Sequence, residues 1–284
     1  MRLRGAGVIL ALALCGAGCS AQDSRSTCPA DGCEVADPRT VPYTDPASVL
    51  QDMQVLEPVE DGSWPVVILA HGTAQSRSAL KGWATGIAAT GAITYNLTWP
   101  SGAGPTPEAV ENLACAVSAA VADAGRHGGD TSRVVFVGHS LGAGVGAPAV
   151  LGGAEHLEDC AVAAGEDTLP NGFVGYEGPY DLASVDYMND RRAPDPPVDE
   201  SADAYAAIGG NPDLVVRLLH GDAEDFAWYD VPLGVSEDFV DALAEAGYDA
   251  ELTVVEGGSH VEIGHRGPVE PAVIATVSEL LADL

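Results

Sequence analysis

Ser140 and His260 are the residues in this sequence best placed for nucleophilic chemistry. The run Val134-Val135-Phe136-Val137 leads into Gly138-His139-Ser140-Leu141-Gly142, and small and apolar residues follow. A serine hydroxyl is a poor nucleophile until a base can take its proton, so it must sit at a sharp turn that a base can reach. Gly-x-Ser-x-Gly between a strand and a helix meets that need. Its glycines permit a close backbone approach, and the new helix offers N–H groups where an oxyanion would form. His260 follows Glu256-Gly257-Gly258-Ser259 after an apolar strand and is expected as the general base, with His265 as the competing histidine.

Several elements must hold these residues. Val66 to Ala70 reads as a buried strand that ends at His71-Gly72-Thr73. Ser78 to Ala89 reads as a helix and Ala92 to Leu97 as the next strand. Thr106-Pro107-Glu108 starts a helix with a threonine cap and proline in its first turn, running to about Ala124. Strands are expected at Arg133–Gly138, Gly172–Glu177, Leu214–Leu219 and Glu251–Val255. Helices are expected near Gly142–Leu151, Ser236–Ala246 and Pro268–Leu284. Residues 182–212, with Pro194, Pro196 and Pro197, break the alternation and read as an insertion or cap. Strand–helix alternation with buried apolar strands implies an α/β class, with a mostly parallel sheet and helices on both faces. Ligands bind such sheets at the carboxyl ends of the strands. The polar signatures His71-Gly72, Ser140, Gly178-Pro179-Tyr180-Asp181, His220-Gly221-Asp222 and Ser259-His260 all fall just after expected strands.

Together these pieces resemble the α/β-hydrolase superfamily from about Val55 to Leu284, with a flavour of bacterial esterases and lipase-like carboxylesterases. The resemblance implies a small insertion before the acid strand and the order nucleophile, acid, histidine. The acid would follow the strand that ends at Leu219, after His220-Gly221. Spacing favours Glu224 and residue type favours Asp225. The resemblance also implies an oxyanion hole of two backbone donors. One is Leu141 N–H; the other is Thr73, with Ala74 as the alternative. Lipase-like relatives have His-Gly-Gly-Gly where this chain has His71-Gly72-Thr73-Ala74. Trp228, Tyr229, Tyr180 and Trp99 are expected as candidate walls of a substrate pocket. Implied is hydrolysis of a small carboxylic ester through an acyl-enzyme, with no metal or organic cofactor. A peptidase or amidase of the same fold and a catalytically silent cell-surface binding module are the rival readings.

Composition bounds the surroundings of this chemistry. Among 284 residues, 42 Asp and Glu against 12 Lys and Arg give a formal net charge of -30, which argues against a nucleic-acid partner. Residues 1–19 read as a signal peptide: Arg2 and Arg4, then a short apolar stretch to Leu14. Cys15-Gly16-Ala17-Gly18-Cys19-Ser20 resembles a bacterial lipoprotein processing site, which would make Cys19 the lipidated residue and give the protein a membrane anchor; plain secretion is the alternative. Residues 20–48 read as a low-order tether and 49–284 as the folded domain. In an exported protein the remaining four cysteines suggest disulfides, and of three possible pairings Cys28–Cys33 and Cys115–Cys160 are expected. Oligomeric state leaves no mark in the sequence.

Overall fold

The computed structural model describes residue 26, residues 28–153, residue 160, and residues 169–181, 202–223, 231–261, 263–264 and 267–284. Eight strands form one sheet: β1 (Arg39–Pro42), β2 (Asp52–Leu56), β3 (Trp64–Ala70), β4 (Ile93–Thr98), β5 (Gly129–His139), β6 (Gly172–Tyr176), β7 (Val215–Gly221) and β8 (Ala250–Val255). Their order is β1-β2-β4-β3-β5-β6-β7-β8. The pairs β1–β2 and β2–β4 are antiparallel, and every other pair is parallel.

The central strands are apolar on both faces because helices cover both. All seven residues of β3 are buried. Val66, Ile68 and Ala70 face one side, packed with residues of α2 (Pro107–Arg126), α3 (Leu141–Leu151) and α4 (Leu233–Glu245). Val67 and Leu69 face the other, packed with α1 (Lys81–Ala89) and α5 (Val269–Asp283). The expected start of α2 is present: Thr106 caps it by accepting from Ala109 N–H, and Pro107 occupies the first turn. α3 is buried along all eleven of its residues. Both expected disulfides form, with Cα–Cα separations of 4.8 Å for Cys28–Cys33 and 5.1 Å for Cys115–Cys160.

The tether expected at 20–48 requires correction over its described part. Residues 39–42 are strand β1, paired with β2. Cys33 N–H donates to Ala89 O, and Ala36 N–H to Glu57 O. Tyr43 is buried, and its hydroxyl reaches Thr98 O and Asn112 Oδ1 at 3.0 Å each. An edge strand of four residues, two half-buried and two exposed, carries little apolar signal, so composition alone did not reveal it. Residues 1–25 lie outside the described residues, as do residues 182–201 of the expected insertion. Within the described part of that insertion, Asn211 Nδ2 donates to Val150 O and Pro170 O. Among the described residues no helix is long and apolar enough to cross a membrane, and no group of three or more His, Cys, Asp or Glu is placed to hold a metal.

Candidate active site

β5 ends at His139 and α3 begins at Leu141, so Ser140 alone makes the turn between them. Its backbone sits at φ 53° and ψ -125°, a conformation that costs a non-glycine residue about 1–3 kcal/mol. Surrounding contacts hold it there. Ser140 N–H donates to Tyr176 O at 2.9 Å, and its carbonyl accepts from Ala143 and Gly144. The flanking glycines are required by space. A Cβ on Gly138 would lie 2.4 Å from Ala143 Cα, and one on Gly142 would lie 2.2 Å from Ala70 O.

His260 reaches the turn from beyond β8. Ser140 Oγ lies 3.0 Å from His260 Nε2 and can donate to it. On the other side of the ring, His260 Nδ1 meets Glu177 Oε2 at 2.5 Å. All three residues are buried, with exposures of 6 % for Ser140, 4 % for His260 and 4 % for Glu177. Glu177 is the residue after β6, also at a positive φ of 46°. Its second oxygen, Oε1, accepts from Gly221 N–H at 2.8 Å, and its own N–H donates to Leu219 O at 3.1 Å. The bond its carboxylate accepts from Gly221 and the bond its backbone donates to Leu219 thus fix the carboxylate that faces the imidazole.

The expected acid is therefore corrected. Glu224 and Asp225 lie outside the described residues, and the Nδ1 position expected for one of them is filled by Glu177. A ring nitrogen has a single hydrogen-bonding direction, and a carboxylate 2.5 Å away occupies it. One signal for Glu177 was present in the sequence: it closes an expected strand immediately before Gly178-Pro179, on the same rim as Ser140 and His260. His265, Trp228 and Tyr229 also lie outside the described residues.

Two expected pocket walls serve the core instead. Tyr180 is buried and stacks on Phe239 with ring centroids 4.4 Å apart, and burial pushes its phenol above the ordinary range. Trp99 is buried and donates its indole N–H to His71 O at 3.0 Å. Both side chains lie in loops just past strand ends and turn inward against the core, Tyr180 onto Phe239 of α4 and Trp99 onto the His71 carbonyl.

Leu141 opens α3, so its N–H precedes the first intrahelical bonds. Residues 72–75 form a turn closed by Gln75 N–H to Gly72 O at 3.4 Å, with Ala74 at φ 54°. That closing bond uses neither the Thr73 nor the Ala74 amide. The turn lies against the nucleophile, since a Cβ on Gly72 would come within 2.9 Å of Ser140 Cβ. Behind His260 stands an aromatic wall. His139 stacks on Tyr176 with centroids 6.0 Å apart, and Trp83 meets both rings edge-on. Tyr176 hydroxyl donates to Ser259 O at 3.1 Å, and Trp83 N–H to Ile263 O at 2.8 Å. Burial drives the His139 ring down to about 3, helped by repulsion from His260 and His71, so it is neutral near pH 7.

No family model matches the sequence, and no curated protein is similar to it at the level of sequence. Solved structures do resemble the fold. Esterase Est2 of Thermogutta terrifontis with butyrate bound has a TM-score of 0.67 at 15 % identity, over 89 % of this chain and 94 % of its own. Est2 is also known with propionate bound and phosphonylated by sarin. Esterase B of Lactobacillus rhamnosis has a TM-score of 0.68 at 15 % identity, over 90 % of this chain and 86 % of its own. A bacterial heroin esterase has a TM-score of 0.65 at 17 % identity, over 87 % of this chain and 84 % of its own. The sheet order, the strained serine turn and these likenesses together identify the fold of this chain as that of the α/β-hydrolases.

Proposed function

We propose that this protein is a serine hydrolase that cleaves small carboxylic esters through an acyl-enzyme on Ser140. One observation carries the reading: the hydrogen-bonded chain from Ser140 Oγ through His260 to Glu177, at 3.0 and 2.5 Å. His260 Nε2 takes the proton as Ser140 Oγ attacks the acyl carbonyl. Glu177 keeps Nδ1–H turned toward itself and stabilises the imidazolium that forms. The tetrahedral oxyanion is received by the N–H groups of Leu141 and Thr73. Collapse of that intermediate expels the alcohol, which takes the proton from Nε2. Water then attacks the acyl-enzyme with the same histidine as base, and Ser140 is restored. Esterases of this fold with butyrate or propionate bound support a short acyl group.

The reading extends to placement in the cell. Residues 1–19 direct export, and Cys19 carries a lipid anchor. Support comes from two disulfides, which persist in oxidising compartments.

The test is hydrolysis of p-nitrophenyl esters from acetate to palmitate, with a phosphonate probe that labels reactive serines. Wild type is expected to turn over the short esters and to label once. Ser140→Ala is expected to lose both, with turnover down by about 10⁴-fold or more. A well-folded wild type that neither turns over nor labels would sink the reading and bring the binding-module alternative forward. Labelling without ester turnover would move the substrate to amides.

A further inference from the structure

Neither Gln75 nor His139 takes part in these steps, yet their side chains link the 72–75 turn to the backbone of His260. Gln75 is exposed on the turn after β3, and its side chain reaches inward. Its Oε1 accepts from Gly72 N–H at 3.0 Å and lies 3.2 Å from His139 Nδ1. The other nitrogen of His139, Nε2, lies 3.0 Å from the backbone carbonyl of His260. One buried imidazole therefore touches the serine turn through its own chain, the 72–75 turn through Gln75, and the base through its backbone. Gly72 is where these contacts converge. A Cβ there would meet Ser140 Cβ at 2.9 Å, Gln75 Oε1 at 3.2 Å and His139 Nδ1 at 3.3 Å.

We propose that Gln75 and His139 are a pair of positioning residues that fix the 72–75 turn against Ser140. The inference rests on the serine-hydrolase reading, in which that turn supplies an oxyanion donor. The turn needs such support. Residues 73–76 are exposed, and the bond that closes the turn is 3.4 Å long, at the weak end of the range. Donors to an oxyanion act only when held where the charge develops, and a displacement of about 1 Å forfeits much of their effect. Gln75 suits the task because its Oε1 can accept from Gly72 N–H and His139 Nδ1–H together. A neutral imidazole carries one N–H, and because Oε1 is held by Gly72 N–H, the Nδ1–H tautomer of His139 is the one that bonds to Gln75.

The test compares Gln75→Met, which keeps length and removes the polar contacts, with Gln75→Glu, which keeps an acceptor oxygen. Gln75→Met is expected to lower kcat by about 10- to 100-fold with KM within about 3-fold, and to slow phosphonate labelling in proportion. Gln75→Glu is expected to stay within about 3-fold of wild type. Because the position is exposed, both variants should melt within about 3 °C of wild type. His139→Phe, which keeps the ring between Trp83 and Tyr176, should lose kcat similarly. Combined with Gln75→Met it should lose little more than the worse single variant. A Gln75→Met enzyme with wild-type kcat, equal losses in the Met and Glu variants, or additive losses in the double variant would each overturn the pair. A wild type without turnover or labelling would instead overturn the serine-hydrolase reading beneath it.

Discussion

The outer edge of the sheet and its central rim are held together by different means. At the edge, β1 is clasped to α2 by charge. Arg39 Nη2 lies 2.6 Å from Asp123 Oδ2, Tyr95 hydroxyl donates to the same oxygen at 2.9 Å, and Arg126 reaches the other oxygen at 3.3 Å. Arg77 pairs with Asp52 of β2 nearby. At the rim, Ser140 and Glu177 both stand at positive φ, and Gly138 and Gly142 leave no space for a Cβ. Long flexible side chains at the edge absorb small displacements, whereas the rim relies on backbone shape and contact. The site should therefore tolerate little change in volume or hydrogen bonding, while changes at the edge should lower stability and leave the chemistry alone.

The largest effect is expected at the rim. Glu177→Gln keeps size and removes the charge that holds the His260 tautomer and stabilises its protonated form. It should lower kcat by about 10²- to 10⁴-fold with a modest change in KM. Asp225→Asn and Glu224→Gln should stay within about 3-fold of wild type. A larger loss in either of these than in Glu177→Gln would return the acid to the loop after β7 and leave Glu177 a purely structural part of the rim.

Ser140 and His260 were legible because a strand, a Gly-x-Ser-x-Gly turn and a helix are written contiguously, and because a histidine after the last strand has few other uses on that rim. The acid was not legible for a geometric reason. Carboxylates follow both β6 and β7, neighbouring parallel strands whose ends open on the same side, so sequence order offers two positions. The choice depends on Gly221 N–H, which comes from one strand and binds Glu177 on the other. Gln75 and His139 were equally hidden, since their contact joins residues 64 apart in the chain. The central strands announced themselves through apolar runs buried on both faces. β1 did not, since only alternate residues of it are even half-buried. Trp99 and Tyr180 misled as pocket walls because an aromatic residue near a strand end packs inward as readily as outward.

The next effects are on stability and again set edge against rim. Cys28–Cys33 precedes β1 and packs against the end of α1, closing a separation of 5 residues, whereas Cys115–Cys160 ties α2 across 45. Loop-closure entropy in the unfolded chain then assigns about 2 kcal/mol to the first bridge and about 4 kcal/mol to the second. Urea denaturation of the two double serine variants should show that ranking. Turnover below the unfolding transition should stay near wild type in both, because neither bridge includes a residue of the proposed mechanism. Loss of turnover in a folded Cys28→Ser, Cys33→Ser variant would mean that this N-terminal segment reaches the site after all.

A third set of effects separates the two regions by pH. His139 has its folded pKa lowered to about 3, below the ordinary 6.5. Its neutral form is the one that fits the fold. Its contribution is therefore complete above pH 6.5 and is lost as pH falls below that, because only the unfolded chain takes up the proton. The slope from this one group approaches about 1.4 kcal/mol per pH unit. Asp123 acts in a lower window. Burial opposes its charge, but hydrogen bonds from Arg39 and Tyr95 and the Arg39 charge outweigh that and hold its carboxyl below the usual range. Its contribution is present above about pH 4 and is lost only as pH falls below that. Urea unfolding measured from pH 8 to pH 3 should thus be flatter for His139→Phe between about pH 6.5 and 4, and flatter for Asp123→Asn only below about pH 4. The lost hydrogen bonds displace each curve without changing its slope. Protonation of the many other carboxylates relieves self-repulsion across this range and favours folding, but it does so equally in all three proteins. Differences between the curves therefore isolate the two groups, and matching slopes in wild type and His139→Phe would show that His139 takes up its proton without unfolding the rim.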